Sequence, residues 1–223
     1  MDRFALFDTN KTIVTDKKDI SAYVSESIRN IYGIITEVSL DKYEGLTAKE
    51  TAYQILKENG LSEKEIAQRL DRYLEDLPYS YYNVAWSDKI DVFEGAKQLL
   101  DTLKKKDVLL GIATGEPLRV AKMRLEKVSL EKYFSLNASA ENGMTPSLIL
   151  TSALDIASSE YGLDKTDGIF FSSSKRFIQA AHDLGLYAIG ISKNSEMMKE
   201  FINSGSNEVL SSLKEKPQIL KKI

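Results

Sequence analysis

FALFDTNKTIVTD, residues 4–16, decides how this chain is read. FALF is short and wholly apolar, the pattern of a strand buried on both faces of a parallel sheet. The run stops at Asp8, and ligand sites in open α/β sheets lie beyond the carboxyl ends of the strands. A carboxylate in that place is a candidate nucleophile or metal ligand. Two residues on stands Asn10, which is similar in shape to a second acid but cannot shuttle a proton.

Working outward, VLLGIA (108–113), GIFFS (168–172) and YAIGI (187–191) share the character of RFALF (3–7). EGAKQLLDTLKKK precedes the second run, TPSLILTSALDIASSEYGL the third, and RFIQAAHDLG separates the last two, all with helical spacing. This alternation predicts an α/β fold with a Rossmann-like parallel sheet covered on both faces. Between Asp16 and Trp86 the apolar residues recur only at helical spacing, as in AYVSESIRNIYGI and EKEIAQRLDRYLEDL. The expected organisation is therefore a core of residues 1–15 and 87–223 with an inserted α-helical cap, 16–86. The aromatic stretch PYSYYNVAW (78–86) is expected to pack where the cap returns to the core, and the Lys-rich SSLKEKPQILKKI to form a solvated terminal helix or tail.

Composition excludes several function classes. A formal net charge of −3, with 28% charged residues, offers no broad field for nucleic acid or acidic lipid. No cysteine is present, so disulfides, thiolate catalysis and Cys-ligated metals are ruled out. His182 is the single histidine, which removes multi-histidine metal sites within one chain. No stretch reads as a signal peptide or membrane span, and a cytoplasmic location is the expectation.

Four short motifs, in order and spacing, make the chain resemble the haloacid dehalogenase (HAD) superfamily, of the kind with a helical cap after the first strand, as in phosphoglycolate phosphatase and β-phosphoglucomutase. The first is Asp8-Thr9-Asn10-Lys11-Thr12-Ile13, where the family has Asp-x-Asp-Gly-Thr-Leu. The resemblance makes Asp8 the nucleophile and a magnesium ligand, and puts Asn10 on the general acid and base, a loss worth about 10²- to 10⁴-fold in rate. Lys11 replaces a glycine and sets a cation beside Asp8. The second motif, in GIATGEP, supplies Thr114 and Gly115 as hydroxyl and N–H donors for an anion. The third, ENGMTPSLIL, places Gly143 where the family has its charge-neutralising lysine. The fourth, SSSKRFIQAAHDLGL, puts Ser173 and Phe177 on two family aspartates.

The family resemblance with these replacements implies a hydrolase homologue with impaired or absent catalysis, a pseudoenzyme. Its retained role would be binding: a phosphate- or carboxylate-bearing small molecule at Thr114, Gly115 and Lys11, or another protein through the cap. No cofactor is expected on that reading. The alternative is an active hydrolase using Asp8, either a small-molecule phosphatase or a metal-independent dehalogenase-like enzyme, in which Lys11, Lys175 or Arg176 replaces the missing charges. Magnesium would then sit at Asp8, Asn10 and Ser173.

Overall fold

The computed structural model describes residues 3–17, 21–215 and 217–221, and in it FALF is the centre of the sheet. The first half of the chain forms β1 (Phe4–Phe7), β2 (Val14–Asp16), α1 (Ser21–Tyr32), α2 (Ala48–Glu58), α3 (Glu63–Ala67), α4 (Leu70–Ala85), β3 (Ile90–Val92) and α5 (Ala96–Lys105). The second half forms β4 (Leu109–Ala113), α6 (Leu118–Lys127), β5 (Leu136–Ala138), α7 (Pro146–Tyr161), β6 (Gly168–Ser172), α8 (Lys175–Asp183), β7 (Tyr187–Ile191), α9 (Ser195–Asn203) and β8 (Glu208–Leu210).

Six strands form one parallel sheet in the order β5-β4-β1-β6-β7-β8. The chain builds outward from β1 through β4 to β5, then returns to the other side of β1 for β6, β7 and β8. The order therefore reverses at β1, the place where parallel sheets open a crevice for ligands. Alternation along β1 feeds two cores: Ala5 and Phe7 join the cluster containing α5, while Phe4 and Leu6 join the one beneath α7 and α8. Phe7 stacks on Phe171 of β6 with ring centroids 4.6 Å apart.

The helices α1 to α4 share an apolar cluster of their own, which Val120 and Met123 of α6 complete from below. Along α4 the fourth-residue spacing buries Leu77, Tyr81 and Ala85. Tyr79 and Tyr82 fall on the opposite side and are 73% and 57% exposed, so PYSYYNVAW is only half a packing element. Three strands lie beyond the apolar-run reading: β2 and β3 pair antiparallel at the root of the helical layer, and β5 extends the sheet edge. Each has three residues, too few to show a period.

The end of the chain departs from a solvated tail. Leu213 and Leu220 are buried in the α5-side core, and Leu213 N donates to Glu94 O. Gly95, with φ of +89°, makes this approach possible: a Cβ there would lie 2.2 Å from Lys214 N. The last two residues and Glu215's neighbour at 216 lie outside the described residues. No helix among the described residues is long and apolar enough to cross a membrane.

Candidate functional site

Three strand ends converge at one carboxyl group. Asp8 follows β1, Thr114 follows β4, and Ser172 ends β6. Asp8 Oδ1 accepts from Thr9 N at 2.8 Å and Thr114 Oγ1 at 3.0 Å, and Oδ2 accepts from Ser172 Oγ at 3.1 Å. The residue is 6% exposed. Burial pushes the Asp8 pKa up to about 7, the Glu116 charge adds to the rise, and the hydrogen bonds oppose it.

Glu116 reaches Asp8 through two hydroxyls. Thr9 Oγ1 donates to Glu116 Oε2 at 2.7 Å and lies 3.0 Å from Thr114 Oγ1, which contacts Asp8. The chain Asp8–Thr114–Thr9–Glu116 thus has three links, while two hydroxyls supply two protons. Thr114 Oγ1 donates to Asp8 and Thr9 Oγ1 to Glu116, so each hydroxyl proton is already given to a carboxyl group and the two hydroxyl oxygens face each other. Burial and the Glu116 charge thus favour a neutral Asp8 below about pH 7.

Behind the chain lies a buried arginine. Arg124 is 0% exposed, and its Nη1 donates to Glu116 Oε1 at 2.6 Å while Nη2 pairs with Asp16 Oδ2 at 2.6 Å. Nη2 also donates to the Asn10 side-chain oxygen at 3.1 Å. Burial works against the Arg124 charge, and Glu116 and then Asp16 outweigh it. Burial raises the Asp16 pKa despite Arg124, and Tyr81 of α4 donates to Asp16 Oδ1 at 3.2 Å. Sequence reasoning missed Glu116, Asp16 and Arg124. The signal for Arg124 was its place on α6, four residues after buried Val120 and therefore on the apolar face.

The residues read as substitutes for lost charge are engaged elsewhere. Lys11 Nζ pairs with Glu44 at 2.6 Å, Lys175 with Glu200 at 3.3 Å, and Arg176 makes a two-pronged pair with Glu50 at 2.5 and 2.6 Å. Glu50 opens α2, and Glu44 stands just before that helix, so Lys11 and Arg176 tie the helical layer to the sheet edge. Among the described residues, no lysine or arginine pairs with Asp8. Gly115 serves the same junction: its carbonyl accepts from Ala48 N at 2.8 Å, and a Cβ on it would lie 3.1 Å from Thr47 Cα. At Gly143 a Cβ would lie 2.5 Å from Leu148 Cβ, so no lysine side chain fits that backbone. Phe177 is 3% exposed and packs 5.8 Å from the Phe170 ring. His182 stands on the exposed side of α8 against Gly205.

Asp8, Glu116 and Thr114 form the floor of a cavity of about 560 Å³ whose walls include Tyr23 and Tyr73 of the helical layer. The donors do not fit magnesium, which takes hard carboxylate oxygens. Asn10 turns its side-chain oxygen to Arg124, and Ser173 donates its hydroxyl to the Asn10 main-chain oxygen at 3.0 Å. Among the described residues no group of three or more His, Asp or Glu side chains is placed to hold a metal.

Residues 5–191 match the family described as haloacid dehalogenase-like hydrolase. A predicted phosphatase from Clostridium acetobutylicum has a similar structure, with a TM-score of 0.69 at 20% identity over 100% of this chain and 98% of that one. β-Phosphoglucomutase from Clostridium difficile is similar with a TM-score of 0.68 at 16% identity, over 100% and 96% of the two chains. A hydrolase from Pseudomonas syringae gives 0.68 at 15% identity over 95% and 94%. At these identities the likeness is one of fold. No curated protein matches the sequence.

Proposed function

We propose, from the premise that this chain belongs to the haloacid dehalogenase-like hydrolases, that it keeps a small-molecule site beneath a helical cap, residues 16–86, but not the family's magnesium-dependent phosphoryl transfer. The observation that carries this reading is the state of Asp8: buried, linked by hydroxyls to Glu116, and without a paired cation among the described residues. Attack on a phosphoryl group needs the ionised carboxylate and positive charge to offset the oxygens of the transferring group. Here burial opposes the ionisation of Asp8, and the charge that acts on it is that of a second acid, Glu116. Asn10 supplies no proton for a leaving group, and its loss alone accounts for about 10²- to 10⁴-fold in rate.

A panel of phosphomonoesters and 2-haloacids, assayed with and without magnesium beside an Asp8→Ala control, tests the reading. Background rates throughout are expected. Turnover that disappears in the control overturns it.

One observation favours an active hydrolase instead. Glu116 lines the cavity and shares a hydroxyl chain with Asp8, a position from which a carboxyl can move a proton in place of Asn10. On this second reading Glu116→Gln abolishes a turnover that the wild type displays.

A further inference from the structure

We propose that the cavity over Asp8 takes a small molecule carrying an ammonium group, and disfavours phosphate dianions. The inference rests on the reading of the cavity as a small-molecule site and names the ligand class for it.

Charge balance comes first. The cations that line the cavity, Lys11, Lys175 and Arg176, each sit against a glutamate: Glu44, Glu200 and Glu50 respectively. On the floor, Asp16 and Glu116 share the single guanidinium of Arg124. Asp8 brings a third carboxyl with no cation of its own among the described residues; it adds to the acid and, while protonated, adds no charge to the excess that Asp16 and Glu116 already hold over Arg124. The floor therefore carries an excess of acid where a phosphate would need an excess of base. An incoming cation supplies the missing counter-charge in a buried place where Coulomb attraction is strong.

A second observation points to a ligand independently of charge. Tyr73 is 0% exposed and its hydroxyl has no hydrogen-bond partner, although it lines this cavity. A buried orphan hydroxyl costs stability unless something satisfies it. The Ser174 hydroxyl, of another residue lining the cavity, is buried without a partner as well. Ammonium protons suit both oxygens as acceptors. Tyr23 and Tyr73 also line this cavity, and aromatic rings attract cations.

Calorimetric titration of the full chain with 1,4-diaminobutane, 1,4-butanediol and inorganic phosphate tests the proposal, because the first two probes differ only in charge and donors. The diamine is expected to bind, and the diol and phosphate to bind far more weakly. Glu116→Gln should weaken the diamine by about 10- to 100-fold, as for a lost charged hydrogen bond. Tyr73→Phe, which removes one oxygen and keeps the ring, should weaken it by about 3- to 10-fold. Circular dichroism establishes that both variants are folded. Phosphate or diol binding as tightly as the diamine overturns the proposal, as does diamine binding that neither variant changes. If none of the three binds, the ligand class is wrong while the non-phosphatase reading stands. Phosphomonoester turnover under the same conditions removes that reading instead.

Discussion

At Asp8 a single carboxyl makes the molecule's stability depend on pH. In the unfolded chain the group ionises near its ordinary value of 3.8, whereas in the fold burial and Glu116 hold it protonated up to about 7. Between those values the native state binds the extra proton, so stability falls as pH rises from about 4 to about 7 and levels off above. The contribution is on the order of 4 kcal/mol at most. Asp8→Asn has no such proton to lose. Its melting temperature relative to the wild type is expected to climb between pH 5 and pH 8, and a constant difference across that range would mean that Asp8 is ionised throughout. Glu116→Gln removes a charge that raises the Asp8 pKa, so carboxyl resonances followed by NMR should show Asp8 titrating at a lower pH.

At the level of elements, α6 and the β2 strand end are joined by the charge of Arg124. The guanidinium faces two carboxylates that are only 4% and 16% exposed on their side chains. Removing one partner of a buried ionic cluster leaves the others uncompensated, typically at about 3–5 kcal/mol. Arg124→Met is therefore expected to lower the denaturant midpoint sharply, and adding Asp16→Asn and Glu116→Gln should recover much of the loss. Arg124→Lys should not substitute, because an ammonium cannot reproduce a fork that serves Glu116, Asp16 and Asn10 together. At the other end of the sheet, Gly95→Ala forces a side chain into left-handed backbone against Lys214 N. A loss of about 1–3 kcal/mol in thermal unfolding, with faster proteolysis after residue 210, is the expected result.

Over the whole molecule, two of the positions that the family resemblance sets against catalytic residues, 143 and 177, are taken up by packing. Phe177 belongs to the core beneath α7 and α8, and Gly143 lies against the start of α7. Phe177→Asp puts a carboxyl into that apolar cluster and is expected to cost about 3–5 kcal/mol in chemical denaturation. Phe177 also lines the cavity, so a stable Phe177→Asp variant would mean that the new carboxyl turns into the cavity rather than into the core.

The sequence by itself determined the sheet, because strands buried on both faces need continuous apolar runs, and β1, β4, β6 and β7 each had one. It also placed Asp8, Thr114 and Ser172 at strand ends, since the end of an apolar run marks the carboxyl edge. It did not reveal what surrounds Asp8. Glu116 and Asp16 look like surface charges in a linear reading, Arg124 is marked only by its place on the apolar face of α6, and the packing of α6 beneath the helical layer brings the three into one buried cluster. The direction of Lys11 and Arg176, toward Glu44 and Glu50 rather than toward Asp8, was likewise decided in three dimensions. Long side chains choose among partners by proximity across the fold, and proximity between residues 33 or 126 positions apart is not written in either segment alone.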